Sequence, residues 1–127
     1  HLQKKDEEIK ANGVRYESMH VDDADYIIVA FGSAARVSEK AIEIAHEEGL
    51  SLGLFRPITL WPFPEKEIKA LAENKKGILV VEINAGQMVE DVRLAVNGAL
   101  PVEHFGRLGG IVPEPEEIVN ALKEKLL

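Results

Sequence analysis

The sequence predicts an α/β fold of three layers, α-β-α, built on a mainly parallel sheet. Two runs, Tyr26-Ile27-Ile28-Val29-Ala30-Phe31 and Ile78-Leu79-Val80-Val81-Glu82-Ile83, are nearly continuous in apolar, mostly β-branched residues, as strands buried on both faces are. From residue 26 onward such runs alternate with stretches of helical periodicity, β-α-β-α-β-α-β-α, the order of crossover units with helices on both faces of a sheet. A length of 127 residues is one domain's worth of chain.

Residues 1–20 carry Leu2, Ile9 and Val14 among many charges. Their charge density favours a helix with an apolar stripe too thin to bury well in a small domain, so an N-terminal helical arm is expected here, continuing from a preceding domain. The domain itself spans 21–127. After the strand at 26–31, Gly32-Ser33 ends the run and Ser33 is a candidate N-cap. Val37, Ala41, Ile44 and Ala45 share a helical face, and Gly49 is a C-terminal stop. Leu50, Leu52 and Leu54 alternate with Ser51 and Gly53, which suggests a strand nearer an edge.

Pro64 suits the start of the next helix, with Glu65 and Glu67 at its positive end and Ile68, Leu71 and Ala72 on one face. Asn74-Lys75-Lys76-Gly77 closes it, and the second buried strand follows. Met88, Val92, Ala95 and Val96 mark a helix stopped by Asn97-Gly98. Pro101–Phe105 opens with proline and is partly polar, as edge strands are. Pro113 and Pro115 lead into a last helix on which Ile118, Ala121 and Leu122 keep the period. Two doubly buried runs and two more exposed ones imply the strand order second–first–third–fourth. The direction of winding reverses between 26–31 and 78–83, so the topological switch point lies at their carboxyl ends.

Arg56-Pro57-Ile58-Thr59-Leu60-Trp61-Pro62-Phe63-Pro64 stands apart. Three prolines remove three N–H donors and fix three φ angles, which excludes a helix interior or a central strand. The stretch is nonetheless mostly apolar and holds the one tryptophan, unlike a solvated linker. It reads either as a stiff loop packed on its own core or as a docking surface, in which Arg56, Pro57, Leu60, Trp61 and Phe63 are the interface residues.

A net charge of −7 and a pI near 5.1 argue against nucleic acid, which needs clustered Lys and Arg. No apolar run approaches the ~18 residues of a membrane span and no signal-peptide pattern is present, so a cytoplasmic protein with no membrane partner is expected. The sequence has no cysteine, which rules out disulfides and cysteine-ligated clusters within this chain. Its charges are dominated by Lys and Glu, a composition associated with thermophiles. The chain opens on His1 rather than Met, as a cut fragment would.

At the switch point, Gly32-Ser33-Ala34-Ala35-Arg36 puts a helix N-terminus, a hydroxyl and a guanidinium together, a set suited to an anion; a tight turn with a capping Ser is the plainer reading. Asn84, Gly86 and Gln87 at the end of the other buried strand could orient a polar ligand in the same crevice or serve as turn and cap residues. Glu82 in an apolar strand needs a partner, for which Arg36 or Arg56 are candidates. Neither a Walker loop, a G-x-G-x-x-G motif nor a G-x-S-x-G elbow is present. The four histidines are scattered, so no metal site is expected, and no catalytic residue is assigned.

Gly32–Arg36, Gly53–Pro64, Val81–Met88 and Arg107-Leu108-Gly109-Gly110 together resemble, in order and spacing, the C-terminal domain of the alpha subunit of 2-oxoacid:ferredoxin oxidoreductases, the pyruvate, 2-oxoglutarate and 2-oxoisovalerate enzymes. The resemblance covers nearly the whole chain. It implies a fold like the transketolase C-terminal domain. It also implies a parent enzyme that uses thiamine diphosphate and Mg2+ to decarboxylate a 2-oxoacid, forms the acyl-CoA and passes electrons through iron–sulfur clusters to ferredoxin. The Gly-Asp-Gly…Asn-Asn thiamine signature is missing here, and the family carries those cofactors on other domains or subunits. The domain is therefore expected to bind no cofactor and to work by contact, with the preceding alpha-subunit domain, with a thiamine-binding beta subunit, with ferredoxin through the complex, and in a homo-oligomer. Two other readings share parts of the pattern: the equivalent domain of a transketolase or of a 2-oxoacid dehydrogenase beta subunit, and a free-standing binder of a small anion.

Overall fold

The chain forms one six-stranded sheet with helices on both faces, seen in a computed structural model that describes residues 7–11, 14–58, 64–83, 87–106 and 111–127. The elements in order are β1 (Glu7–Ala11), β2 (Val14–Met19), β3 (Tyr26–Ala30), α1 (Ser33–Glu47), β4 (Leu52–Pro57), α2 (Glu65–Ala72), β5 (Gly77–Glu82), α3 (Gln87–Val96), β6 (Val102–Gly106) and α4 (Pro115–Leu126). The sheet order is β1-β2-β4-β3-β5-β6. β4, β3, β5 and β6 are mutually parallel, in the expected order, and the two continuous apolar runs are adjacent at its centre, with Tyr26 opposite Gly77 and Ala30 opposite Val81.

Strand alternation splits the core in two. Ile28, Ala30, Leu79 and Val81 pack under α1 and α4, with Ile42, Ile118 and Leu122. Ile27, Val29, Ile78 and Val80 face α2 and α3, with Ile68, Val89 and Val92. Ile27, Ile28 and Val29 have no exposed surface, which is why neither face of β3 has a polar residue. The buried stripe of α1 is Ala34, Ala35, Ser38, Ala41, Ile42 and Ala45, and Val37 and Ile44 pack partly buried against the same core. Ser38 is tolerated because its hydroxyl donates to the Ala34 carbonyl at 2.7 Å. The helix ends as its glycine suggests, with Gly49 at φ 82°. At α4, Glu114 and Glu117 form a capping box ahead of Pro115.

The N-terminal segment departs from expectation. Residues 7–11 and 14–19 form an antiparallel hairpin rather than a helical arm, and β2 goes on to pair antiparallel with β4. Val14-Arg15-Tyr16-Glu17-Ser18-Met19 has the alternation of a strand, and an open sheet edge at β4 rewards it with a ladder of hydrogen bonds that local helix propensity cannot match. β4 is in consequence an interior strand, buried from Leu52 through Phe55, and not the near-edge strand its alternating leucines suggest.

Proline does enter that interior strand, at Pro57. It sits opposite Tyr16, and the flanking bond runs from the Ile58 N–H to the Arg15 carbonyl at 2.9 Å. Pro57 thus occupies a non-hydrogen-bonded position beyond the stretch paired to β3, where its missing N–H costs nothing.

β2 and β3 flank β4 on opposite sides, so the link 20–25 must cross the start of β4. It does so over Gly53, where any Cβ would lie 2.8 Å from the His20 carbonyl oxygen. The link is pinned by the Lys75 ammonium, which donates to the Val21 and Ala24 carbonyls, and by the Asp25 N–H donating to Ser51. No helix of the described residues is long and apolar enough to cross a membrane.

Candidate functional site at the carboxyl ends of the central strands

The helices that follow β3 and β5 lie on opposite faces of the sheet, α1 on one and α3 on the other. The carboxyl ends of these adjacent parallel strands therefore diverge into a crevice. Gly32 makes the turn from β3 into α1 with φ 65° and ψ −134°, a conformation open to glycine and costly for other residues. Because Gly32 is itself the N-cap, Ser33 lies inside the first turn and no side chain caps the helix; the Gly32 carbonyl instead accepts the Ala35 N–H at 3.0 Å. Ser33 and Arg36, three residues apart and so on one helical face, are both exposed at this end. Phe31, 42% exposed, stands beside them. Gln87 opens α3 on the other side of the switch point. Asn84 lies outside the described residues.

Glu82 takes a role that the sequence reading did not assign. Its two carboxylate oxygens accept the N–H groups of Met88 (2.9 Å) and Val89 (3.1 Å) in the first turn of α3. The carboxylate thus sits at the positive end of that helix, satisfying two of its orphan donors. The Nε2 of His104 on β6 lies 3.4 Å from the same carboxylate. Neither Arg36 nor Arg56 is the partner: Arg56 donates instead to Glu17 on β2 at 3.0 Å, a cross-strand ion pair in the Glu17–Arg56 register. Residue spacing could not reveal this cluster, because it depends on the β5–β6 register that sets Val80 beside His104 and Glu82 beside Gly106.

This arrangement does not fit a thiamine diphosphate–Mg2+ site. The N-terminus of α3, which would attract a diphosphate, already holds the Glu82 carboxylate, whose charge would repel one. No group of three or more His, Asp or Glu that could hold a metal ion occurs among the described residues. Of the interface candidates, Pro57 is buried and Arg56 half-buried inside the sheet; Leu60, Trp61 and Phe63 lie outside the described residues.

Comparison with known proteins covers the same ground. The family model for the pyruvate:ferredoxin oxidoreductase core domain II matches residues 24–118. Ketoisovalerate oxidoreductase subunit VorB of Methanothermobacter thermautotrophicus is 43% identical over 98% of this chain, and the match covers 35% of that protein. 2-Oxoglutarate synthase subunit KorA of Methanothermobacter marburgensis is 39% identical over 80% of this chain and 27% of its own length. The chain thus spans about a third of the length of the curated relatives it matches. Among solved structures, the 2-oxoglutarate:ferredoxin oxidoreductase of Magnetococcus marinus, solved with 2-oxoglutarate, coenzyme A and succinyl-CoA bound, superposes with a TM-score of 0.68. That match has 23% identity and spans 100% of this chain and 20% of that one. A split-gene transketolase in an inactive beta4 tetramer gives 0.71 at 17% identity over 82% of this chain and 39% of that one. The two structures share the fold expected from the transketolase-like reading. The matched span, 24–118, and the identity across almost the whole length lead to one conclusion: the chain belongs to the pyruvate:ferredoxin oxidoreductase core domain II family.

Proposed function

We propose that this chain is the non-catalytic assembly domain of the alpha subunit of a thiamine diphosphate-dependent 2-oxoacid:ferredoxin oxidoreductase. The parent enzyme would oxidatively decarboxylate a 2-oxoacid to its acyl-CoA and reduce ferredoxin. The observation that carries this reading is the 43% identity to a ketoisovalerate oxidoreductase subunit over 98% of the chain. The lack of cysteine in this chain is consistent with iron–sulfur ligation by other parts of the complex. The Glu82 carboxylate at the start of α3 supports a diphosphate site on another domain. The relatives' names include both ketoisovalerate and 2-oxoglutarate enzymes at similar identity, which supports a domain that leaves substrate choice to its partners.

In this reading the domain packs against the preceding part of its own subunit and against a thiamine-binding beta subunit, in a cytoplasmic oligomer that hands electrons to ferredoxin. The segment that begins at Arg56 and runs through Leu60, Trp61 and Phe63 supplies the apolar contact. Its prolines leave little backbone entropy to lose on docking, and aromatic and Arg side chains are enriched at interface hot spots. The crevice residues Gly32, Ser33, Arg36, Asn84 and Gln87 form the rim presented to the neighbouring subunit.

The test is reconstitution. The full alpha subunit, co-purified with its thiamine-binding and ferredoxin-like partners, should reduce a viologen dye with a 2-oxoacid and coenzyme A. The 127-residue chain alone should give no such activity and no calorimetric signal with thiamine diphosphate and Mg2+. Micromolar binding of thiamine diphosphate by the chain alone would overturn the reading.

A further inference from the structure

We propose that β1 is a self-pairing edge, along which a second copy of this chain extends the sheet antiparallel about Ile9. The proposal deepens the oligomer of the preceding reading by giving it one contact, and it stands on strand register and charge.

β1 (Glu7–Ala11) is the outermost strand of the sheet, bonded to β2 on one side and, among the described residues, to nothing on the other. Pro57 shows which of its backbone groups point outward. The Ile58 N–H donates to the Arg15 carbonyl, so Arg15 turns its backbone groups toward β4, and Tyr16, opposite Pro57, turns its own toward β1. Tyr16 is opposite Ile9, so Ile9 exchanges bonds with β2. The N–H and C=O groups of the residues on either side, Glu8 and Lys10, therefore point out of the sheet. An open row of this kind is a template for another strand.

A twofold axis pairs a strand with itself antiparallel, and outward residues must meet outward residues. With Glu8 and Lys10 outward, three registers remain. Centring on Glu8 sets Glu8 against Glu8, and centring on Lys10 sets Lys10 against Lys10. Centring on Ile9 sets Glu8 against Lys10 of the second copy, and does so twice. Opposite charges across a strand pair stabilise it and like charges directly opposite destabilise it, so sign selects the Ile9 register. Within the hairpin the same two residues stand opposite their own sign, Glu8 by Glu17 and Lys10 by Arg15. The second copy is thus the side on which each stands directly opposite the other sign. The far edge of the sheet offers no such match, because Glu103 is the single Asp, Glu, Lys or Arg in β6.

Sedimentation equilibrium on the 127-residue chain tests this, and mixing charge variants tests the register. The wild-type chain should form a weak, concentration-dependent dimer, as a strand of five residues allows. Glu8→Lys and Lys10→Glu each make both pairs across the axis like-charged, and each should weaken the dimer at least ~10-fold. Neither threatens the fold, since each replaces a like-charge pair within the hairpin by an opposite one. The double variant Glu8→Lys/Lys10→Glu should regain the wild-type dimer. An equimolar mixture of the two single variants should form a heterodimer, because each supplies the sign that the other lacks at both pairs. A wild-type chain that stays monomeric up to about 1 mM overturns the proposal, as does a dimer that both single variants leave unchanged. So does a mixture that associates no more tightly than either variant alone. Capture of the thiamine-binding subunit by the full alpha subunit is scored separately: its complete absence would overturn the assembly reading, while the edge is judged on association of this chain with itself.

Discussion

Gly53→Ala is the substitution that should damage this fold most for its size. The link 20–25 crosses β4 directly over Gly53. A Cβ there would lie 2.8 Å from the His20 carbonyl oxygen, 3.0 Å from the His20 carbonyl carbon and 3.0 Å from the Val21 Cα. All three contacts are to backbone, and comfortable separation is about 3.5–4.0 Å. Neither side can retreat. β4 is held by ladders to β2 and β3, and the link is held by Lys75 and Ser51. Overpacking costs about 1–3 kcal/mol, and against two fixed backbones the upper end applies, ~3 kcal/mol. For a domain of this size that lowers Tm by about 10–15 °C and the urea midpoint by about 2 M. Gly77→Ala is the control. Its Cβ would meet only side-chain tips, Leu126 Cδ2 at 3.0 Å, Leu126 Cδ1 at 3.3 Å and Tyr26 Cδ1 at 3.3 Å. The Leu126 contacts are the far end of a flexible side chain, which can turn aside, and the gain in chain stiffness offsets the strain, leaving a change within ~1 kcal/mol. Circular-dichroism melts and urea titrations of both variants give the comparison. A Gly53→Ala protein within ~0.5 kcal/mol of wild type, or no worse than Gly77→Ala, would refute the crossing as the reason for glycine.

Lys75→Met removes the ammonium that binds the Val21 and Ala24 carbonyls and should cost about 1.5–3 kcal/mol in urea unfolding; a neutral result would mean that water replaces it. Phe55→Ala empties a side chain that is 2% exposed and stacked on Tyr16 at 4.7 Å. It should cost about 3–5 kcal/mol, and a loss under ~1 kcal/mol would show that the hairpin collapses into the space. Trp61→Ala should weaken association of the full alpha subunit with its partners by ~2 kcal/mol or more while the domain still melts as wild type. A sharp drop in melting with unchanged association would show that Trp61 serves the core instead.

The parallel core of this protein was legible in its sequence. Apolar runs such as Tyr26–Ala30 and Gly77–Glu82 must be buried on both faces wherever they sit, and βαβ connections leave few ways to arrange them. Helix limits such as Gly49, Gly98 and Pro115 are equally local, since backbone stereochemistry decides them. What only the tertiary structure decided are features that depend on a neighbour distant in sequence. Val14–Met19 became a strand because β4 offered an open edge, and Leu52–Phe55 became interior because that strand arrived. Pro57 entered the sheet because its partner register left no donor to satisfy. At the crevice, sequence placed Gly32, Ser33 and Arg36 at the end of a central strand, yet cast Ser33 as the cap when Gly32 takes that place. The partners of Glu82 are set by strand register and helix placement, which bring a β5 carboxylate, a β6 imidazole and the first turn of α3 within hydrogen-bonding reach. Propensity and pattern act within a few residues, whereas register is a property of the whole sheet.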